Sequence, residues 1–301
     1  MKKTRSESKE LRVMKLLEAR MDLSEPDRSY LLSLKKGYEG ECKFDGLVAP
    51  FFGGRIVLND LLLEHKNTVF QIDSLVLSSS MIDMFEVKNY EGDYYVDGEH
   101  WYPLHGNEIK NPLHQIQRST LLLRDLLKGL GIKLPVESHL VFVNPEFQLY
   151  KAPVDQSIVY PAQLNRFFSK MQKERSFLKE YHYDIAKQLL ALQLADVPSF
   201  RLPKYDYPQL KKGIPCLACG QMYGELAKTR LVCKNCGGCE DYEPAVLRAV
   251  EEFQLLFPEM KVTTNAIHEW CGVVKKRLTI RNVLARNYNR VGHGRHSYYL
   301  S

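Results

Sequence analysis

A chain of 301 residues, 45% apolar and 26% charged, can form one large core and one or two small modules, and its composition excludes fibrous, disordered and membrane-embedded classes. No apolar run approaches the ~20 residues that span a bilayer, and the charged start Met1-Lys2-Lys3-Thr4-Arg5 lacks the apolar stretch of a signal peptide, so a cytoplasmic protein without a membrane partner is expected. The formal charge of +6 is unevenly placed: residues 261–301 hold eight Lys/Arg against one acid, and the rest of the chain is nearly neutral.

In chain order, residues 6–20 place Leu11, Met14, Leu17 and Met21 at helical spacing, which predicts a peripheral helix. Ser24-Glu25-Pro26 reads as the start of a second helix, with Ser24 as cap. That helix carries Tyr30, Leu31 and Leu34 and is expected to end within Gly37-Tyr38-Glu39-Gly40-Glu41, its glycines clearing a face on which Glu41 can approach a sheet closely. Residues 55–63, 68–77 and 81–88 are β-rich runs joined by short polar turns, a meander. A hairpin follows at Asp97-Gly98, Asn111-Pro112 opens a further helix, and residues 139–143 form a short buried strand. Helix, antiparallel strands, helix and strand make an α/β (α+β) domain. Residues 160–195 are expected to be helical and to serve as packing, and Pro198, Pro203 and Pro208 punctuate a linker.

The chemistry concentrates in one hairpin. Gln71-Ile72-Asp73 lies on one strand, Ser78-Ser79-Ser80 makes the turn, and Phe85-Glu86-Val87-Lys88-Asn89-Tyr90 returns. Glu86 and Lys88 are two apart on a strand and leave the same face. With Asp73 beside them they form a two-carboxylate, one-ammonium site suited to a hard cation that polarises a phosphoryl oxygen and activates water. Lys88 would stabilise charge on the phosphate, or take a proton from water if its pKa is lowered. Glu-x-Lys alone has little value, since the chain contains six such pairs. Only Glu86 and Lys88 sit in an apolar strand whose partner carries an acid, where burial demands a counter-charge.

Taken together, Gly37-x-x-Gly40-Glu41, Gln71-Ile72-Asp73, Phe85-Glu86-Val87-Lys88-Asn89-Tyr90-x-Gly92, Trp101 and Asn111-Pro112-x-x-Gln115 resemble, in order, the motifs of the nuclease-related domain family (NERD), itself similar to the PD-(D/E)XK nucleases. The resemblance implies a restriction-endonuclease-like mixed sheet flanked by helices over roughly residues 37–150. It implies Asp73 and Glu86 as ligands of Mg²⁺ (or Mn²⁺), Lys88 as the catalytic lysine, Glu41 as the first-helix acid near the metal, and Gln115 as a helical glutamine facing the site. His65, His100, His105 and His114 lack metal-ligand spacing, and Trp101, Tyr94 and Tyr95 are read as packing before base-stacking.

Cys216-x-x-Cys219 and Cys233-x-x-Cys236 are two knuckles thirteen residues apart, each followed by Gly (Gly220, Gly237) at the turn. Four thiolates in this pattern predict a zinc ribbon with a closed, structural Zn²⁺ site. Cys239 competes with Cys236 as fourth ligand, while Cys42 and Cys271 read as buried thiols. After Glu243-Pro244 three helices are predicted, the second capped by Thr263 or Thr264 and the third placing Ile280, Val283 and Leu284 on its core face. A glycine turn between two short strands completes a basic helix-turn-helix, winged-helix-like module. Lys276, Arg277, Arg281, Asn282 and Arg295 are its candidate nucleic-acid contacts.

The expected order is therefore a helical region at 1–36, the nuclease-related domain at 37–150, a helical extension and linker at 151–212, the zinc ribbon at 213–240 and the basic domain at 245–301. The expected activity is metal-dependent hydrolysis of DNA phosphodiesters. The alternatives are an RNA substrate and a non-catalytic DNA-binding or regulatory protein that keeps the same scaffold.

Overall fold

The computed structural model describes residues 2–154, 157–195 and 200–300, without the side chain of Arg295. Pro198 lies outside the described residues. The chain folds as two compact units, one of Met1–Ser8 with Leu32–Phe200, the other of Lys9–Leu31 with Arg201–Ser301. Residues 1–36 are thus divided between them. Among the described residues no helix is long and apolar enough to cross a membrane.

In chain order the elements to residue 191 are β1 (Lys2–Lys3), α1 (Lys9–Arg20), α2 (Glu25–Val48), β2 (Ile56–His65), β3 (Thr68–Leu77), β4 (Ile82–Lys88), β5 (Gly92–Asp97), β6 (His100–Pro103), α3 (Pro112–Gly129), β7 (Val136–Phe142), β8 (Phe147–Tyr150), β9 (Ile158–Val159), α4 (Leu164–Lys173) and α5 (Glu180–Ala191). Beyond them come β10 (Glu225–Ala227), β11 (Arg230–Val232), β12 (Cys239–Asp241), α6 (Tyr242–Leu256), α7 (Thr264–Cys271), α8 (Arg277–Asn287), β13 (Asn289–Val291) and β14 (Tyr298–Leu300).

The first unit is built on a six-stranded mixed sheet of order β1-β2-β3-β4-β7-β9. The meander β2-β3-β4 is antiparallel, as the short polar turns predict, and β1, β7 and β9 join it in parallel. One face buries Leu75, Leu77 and Met84 against Ile116 and Leu123 of α3 and Leu189 of α5. The other buries Val76, Phe85 and Val87 against Phe44 and Val48 of α2 and Phe168 of α4. A three-stranded sheet, β6-β5-β8, carries the Asp97-Gly98 hairpin. Trp101 and Tyr94 pack here as expected, Trp101 stacking on Phe142 and Tyr94 on Tyr90. Asn111 caps α3 by accepting from the Leu113 N–H at 2.9 Å.

Three local expectations change. First, α2 does not stop at Gly37–Glu41 but runs on to Val48, because Phe44 and Val48 bury a helical stripe beyond the glycines, a packing gain that outweighs a glycine's ~1 kcal/mol helix penalty. Second, Cys42 is exposed, since it lies two residues, about 200° of helix, from Phe44. Third, α1 is not peripheral. Leu11, Met14, Leu17 and Arg20 are buried within the second unit, where Arg20 pairs with Glu252 of α6 at 2.6 Å and lies 3.9 Å from the Trp270 ring.

The glycine pair divides in the same way. A Cβ on Gly40 would meet the Asn89 Cβ at 2.3 Å, while one on Gly37 meets nothing within 4 Å. Gly40 therefore sets how closely α2 approaches the end of β4, and Asn89 locks that approach by donating to the Lys36 carbonyl at 2.8 Å. Gly40→Ala is expected to cost about 1–3 kcal/mol by overpacking, whereas Gly37→Ala should gain up to about 1 kcal/mol from helix propensity. Urea denaturation of both variants measures the contrast.

Candidate active site and four-cysteine centre

The candidate site forms where the sheet stops pairing. The β3–β4 ladder runs from Leu77–Ile82 to Ser74–Phe85 and no further. In the β2–β3 ladder the Asp60–Asp73 pair is skipped between Asn59–Ser74 and Leu61–Ile72. Asp60 takes φ +52°, and the core-facing residues slip phase here, stepping from Leu58 to Leu61 and from Ile72 to Leu75. Asp73 thus sits between two broken ladders. Its backbone partners are replaced by side-chain chemistry: the Val87 N–H donates to Asp73 Oδ2 at 2.8 Å, and the Asp73 carbonyl accepts from Arg5 Nη2 at 2.9 Å.

Glu86 and Lys88 leave β4 on the α3 face, and Gln115 reaches them from the first turns of α3. Lys88 Nζ donates to Glu86 Oε1 at 2.7 Å and to Gln115 Oε1 at 3.0 Å, and Gln115 Nε2 donates to the same Glu86 oxygen. The Glu86 and Lys88 side chains are 4% and 17% exposed, so the pair is shielded from water yet open at the ammonium end. Burial pushes the Glu86 carboxyl up to about 7, with the Asp73 charge adding to it and Lys88 opposing. Burial also raises Asp73, against the pull of Lys88 and of the Val87 N–H. For Lys88, burial alone would lower the pKa, but Glu86, Tyr90 and Asp73 outweigh it and the net shift is upward.

Glu41 is brought to the same region by α2, though not onto Lys88. It accepts from Arg5 Nη1 at 2.6 Å, and burial, followed by the Asp73 charge, pushes its carboxyl up to about 8. Arg5 itself escapes a reading of the sequence. It lies in the segment between β1 and α1, with a side chain only 3% exposed, and it also meets Asp45 of α2 and Asp60 of β2. The signal that could have flagged Asp60 is the three-residue step in an alternating strand, matched by an equal step around Asp73.

A further group lies on the opposite face of the sheet. Asp83 and His139 are both buried, with His139 Nε2 3.1 Å from Asp83 Oδ1, and Glu137 stands beside them. His139 also packs against Phe85 and Phe167, which ties this pair to the core. Of the other histidines, partly buried His65 pairs with Asp125 and exposed His100 pairs with Glu108.

In the second unit the ligand atoms of Cys216, Cys219, Cys233 and Cys236 lie within 4.8 Å of one another, an arrangement that can hold a metal ion. Cys216 Sγ is 3.7 Å from Cys236 Sγ, and Cys219 Sγ is 3.6 Å from Cys233 Sγ. Cys239 stands outside the group, exposed on β12. Each knuckle closes on a glycine in the left-handed region, Gly220 (φ +73°) and Gly237 (φ +72°), whose N–H groups donate to the Cys216 and Cys233 carbonyls at 2.9 Å. Gly238 keeps the centre open to sulfur, since a Cβ there would lie 3.3 Å from both the Cys216 and Cys236 Sγ atoms. Lys276, Arg277, Arg281 and Asn282 are exposed at the start and along the outer side of α8, away from buried Ile280, Val283 and Leu284.

A mixed sheet between two helical layers, with acids and a lysine gathered at the end of a central hairpin, defines a nuclease-like α/β domain. Residues 36–143 match the nuclease-related domain, NERD, which places the family's signature on the segment that carries Glu41, Asp73, Glu86, Lys88 and Gln115. No curated protein and no solved structure matches the chain.

The raised carboxyls have a direct consequence for stability. In the unfolded chain Glu41 and Glu86 titrate near 4.3; folded, they titrate at about 8 and about 7. Between these limits the folded state holds more protons, so these groups make stability fall as pH rises. In a chelating buffer the melting temperature of Glu86→Gln should therefore fall less steeply than the parent's between about pH 5 and 8. Equal slopes would show that Glu86 is not held protonated by burial.

Proposed function

We propose that the protein is a metal-dependent nuclease that hydrolyses phosphodiester bonds of DNA. The observation that carries this reading is the convergence of Asp73, Glu86, Lys88 and Gln115 at the point where the β3–β4 ladder stops. The donor set suits a hard divalent cation such as Mg²⁺ or Mn²⁺: two buried carboxylates with raised pKa values are what two acids become when a counter-charge is lacking. Asp73 and Glu86 would hold the ion. Both Lys88 and Gln115 use Glu86 Oε1, which leaves Oε2 for the cation. Such an ion polarises a bound phosphoryl oxygen and lowers the pKa of water.

The chain's own groups do the rest. Lys88, its pKa raised, stays an ammonium, which suits it to stabilise negative charge on the attacked phosphate and not to act as a base. Gln115 fixes Glu86 and Lys88 relative to each other through one hydrogen bond to each. The Val87 N–H holds the Asp73 carboxylate in place.

In the second unit, the four cysteines would hold a structural Zn²⁺, because a closed tetrahedral thiolate set has no open position for chemistry. Three helices followed by the β13–β14 hairpin is the element order of a winged helix. A cleft of about 870 Å³ between the ribbon and these helices is lined by Lys212, Lys228, Lys275 and Lys276 with one acid, Glu225. Together with Arg277, Arg281 and Asn282 it supports contact with phosphates.

A panel of labelled single- and double-stranded DNA and RNA, incubated with Mg²⁺, Mn²⁺ or chelator, tests the reaction. Asp73→Asn and Lys88→Met should each lower metal-dependent cleavage by at least about 100-fold. Binding of DNA without cleavage in the parent would instead identify a binding platform, and equal activity in parent and variants would assign the cleavage to a contaminant. Elemental analysis should find one zinc per chain, lost in Cys216→Ser and kept in Cys239→Ser.

A further inference from the structure

The cleft of the second unit has two walls of different origin. Leu226 of β10 and Lys228 line the ribbon side, while Val273, Lys275 and Lys276 of the α7–α8 connection and Thr279 of α8 line the helical side. Leu226, Val273 and the further lining residues Met222 and Tyr242 are half-buried, whereas Lys228, Lys275 and Lys276 are exposed. An apolar lining therefore lies below a basic rim. The fourth lysine, Lys212, turns inward: its ammonium donates to the Tyr207 and Leu210 carbonyls and lies 3.7 Å from the centre of the Tyr207 ring. Against the three outward ammonium groups the lining sets the single carboxylate of Glu225.

These walls decide which form of nucleic acid fits. A helix that reads a major groove does so with the residues of its first turns, which must stand clear of the protein to reach base edges. In α8 the residues at that end, Lys276 and Thr279, line a cleft whose far side is the ribbon. A duplex presents phosphates and groove edges but keeps the faces of its bases stacked inside, so it leaves Met222, Leu226 and Val273 without a partner. An unpaired strand offers both chemistries, phosphates for a basic rim and exposed base faces for an apolar lining. At about 870 Å³ the cleft has the size of a small-ligand pocket, which suits a short stretch of unpaired nucleotides and not a double helix.

We propose that this cleft is the seat of an unpaired DNA strand: a base enters between the ribbon and α8 while the phosphates on either side of it meet Lys228, Lys275 and Lys276. The second unit then selects single-stranded stretches of DNA, and α8 does not serve as a reader of the major groove. The ribbon has a part in recognition as well as in stability, since it supplies one wall of the cleft. This inference rests on the reading of the second unit as a module that contacts nucleic acid.

Fluorescence anisotropy of the zinc-replete full chain, in buffer without Mg²⁺ or Mn²⁺, tests it with labelled oligothymidylate and with a duplex of equal length. The parent should bind the single strand at least about 10-fold more tightly than the duplex. Leu226→Glu, which puts a carboxylate into the apolar lining, should weaken single-strand binding about 10-fold and leave duplex binding unchanged. Lys228→Ala/Lys275→Ala/Lys276→Ala changes exposed residues alone, and should lower the salt slope of single-strand binding by about 2. Arg281→Ala/Asn282→Ala, on the outer side of α8, should leave single-strand binding as it is. A parent that binds the duplex as tightly as the single strand overturns the proposal, and so does a triple-lysine variant with the parent's single-strand affinity and salt slope, even if Leu226→Glu does not fold. Duplex binding lost in Arg281→Ala/Asn282→Ala, with no single-strand preference in the parent, makes α8 a groove reader and overturns the proposal alone. Failure of the underlying reading has a different signature: none of these variants then changes the binding of either form.

Discussion

A buried backbone N–H must find an acceptor, and in this protein the Val87 N–H finds the Asp73 carboxylate in place of a neighbouring strand. Were the β3–β4 ladder to continue one step further, Asp73 would be an edge-facing side chain in a closed sheet and there would be no gap at the end of the hairpin. Breaking the ladder on both sides of Asp73 leaves peptide groups that need partners, and two of them are answered by side chains: a carboxylate for an N–H, a guanidinium for a carbonyl. The gap in the sheet and the chemistry that lines it are therefore one feature. The helices follow from it, since α2 must approach closely enough to bring Glu41 and α3 must offer Gln115, and Gly40 and the Asn111 cap set those two positions.

Electrostatics accounts for the rest of the layout. Five carboxylates, Glu41, Asp45, Asp60, Asp73 and Glu86, share one end of a sheet with two long cations, Arg5 and Lys88. The imbalance is visible in the upward shifts of Glu41, Asp73 and Glu86. A structure that gathers acids in this way loses stability unless a positive charge is supplied. That is the physical sense in which this end of the domain calls for further positive charge. The second unit solves its own charge problem separately, with Arg20 buried between Glu252 and the Trp270 ring and with thiolates that a metal would neutralise.

What was legible in the sequence was whatever repeats at short range. The alternation of the three meander strands, the apolar context of Glu86 and Lys88, the Asn111-Pro112 helix start and the two Cys-x-x-Cys knuckles are all local patterns, and each corresponds to an element or a cluster in the structure. The continuation of α2 past its glycines was hidden because Phe44 and Val48 supply a tertiary packing gain that local propensity does not register. Arg5 was hidden for a deeper reason. Its partners lie 36, 40, 55 and 68 residues away on three different elements, and nothing in its own neighbourhood distinguishes it from any other surface arginine. Choosing Cys236 over Cys239 likewise required coordinates, because both spacings are compatible with a knuckle.

The matched family segment begins at residue 36, while the strand and arginine that complete its electrostatics lie in residues 2–5. The physical boundary of the nuclease-like unit therefore differs from its family boundary. It takes in a short leading strand, omits the helical stretch from Lys9 to Leu31, and resumes within a helix. Excising the segment by its family limits would keep all five acids and Lys88 but discard Arg5. The family signature here covers the acids and Lys88, while a group that makes their assembly tolerable lies elsewhere in the chain.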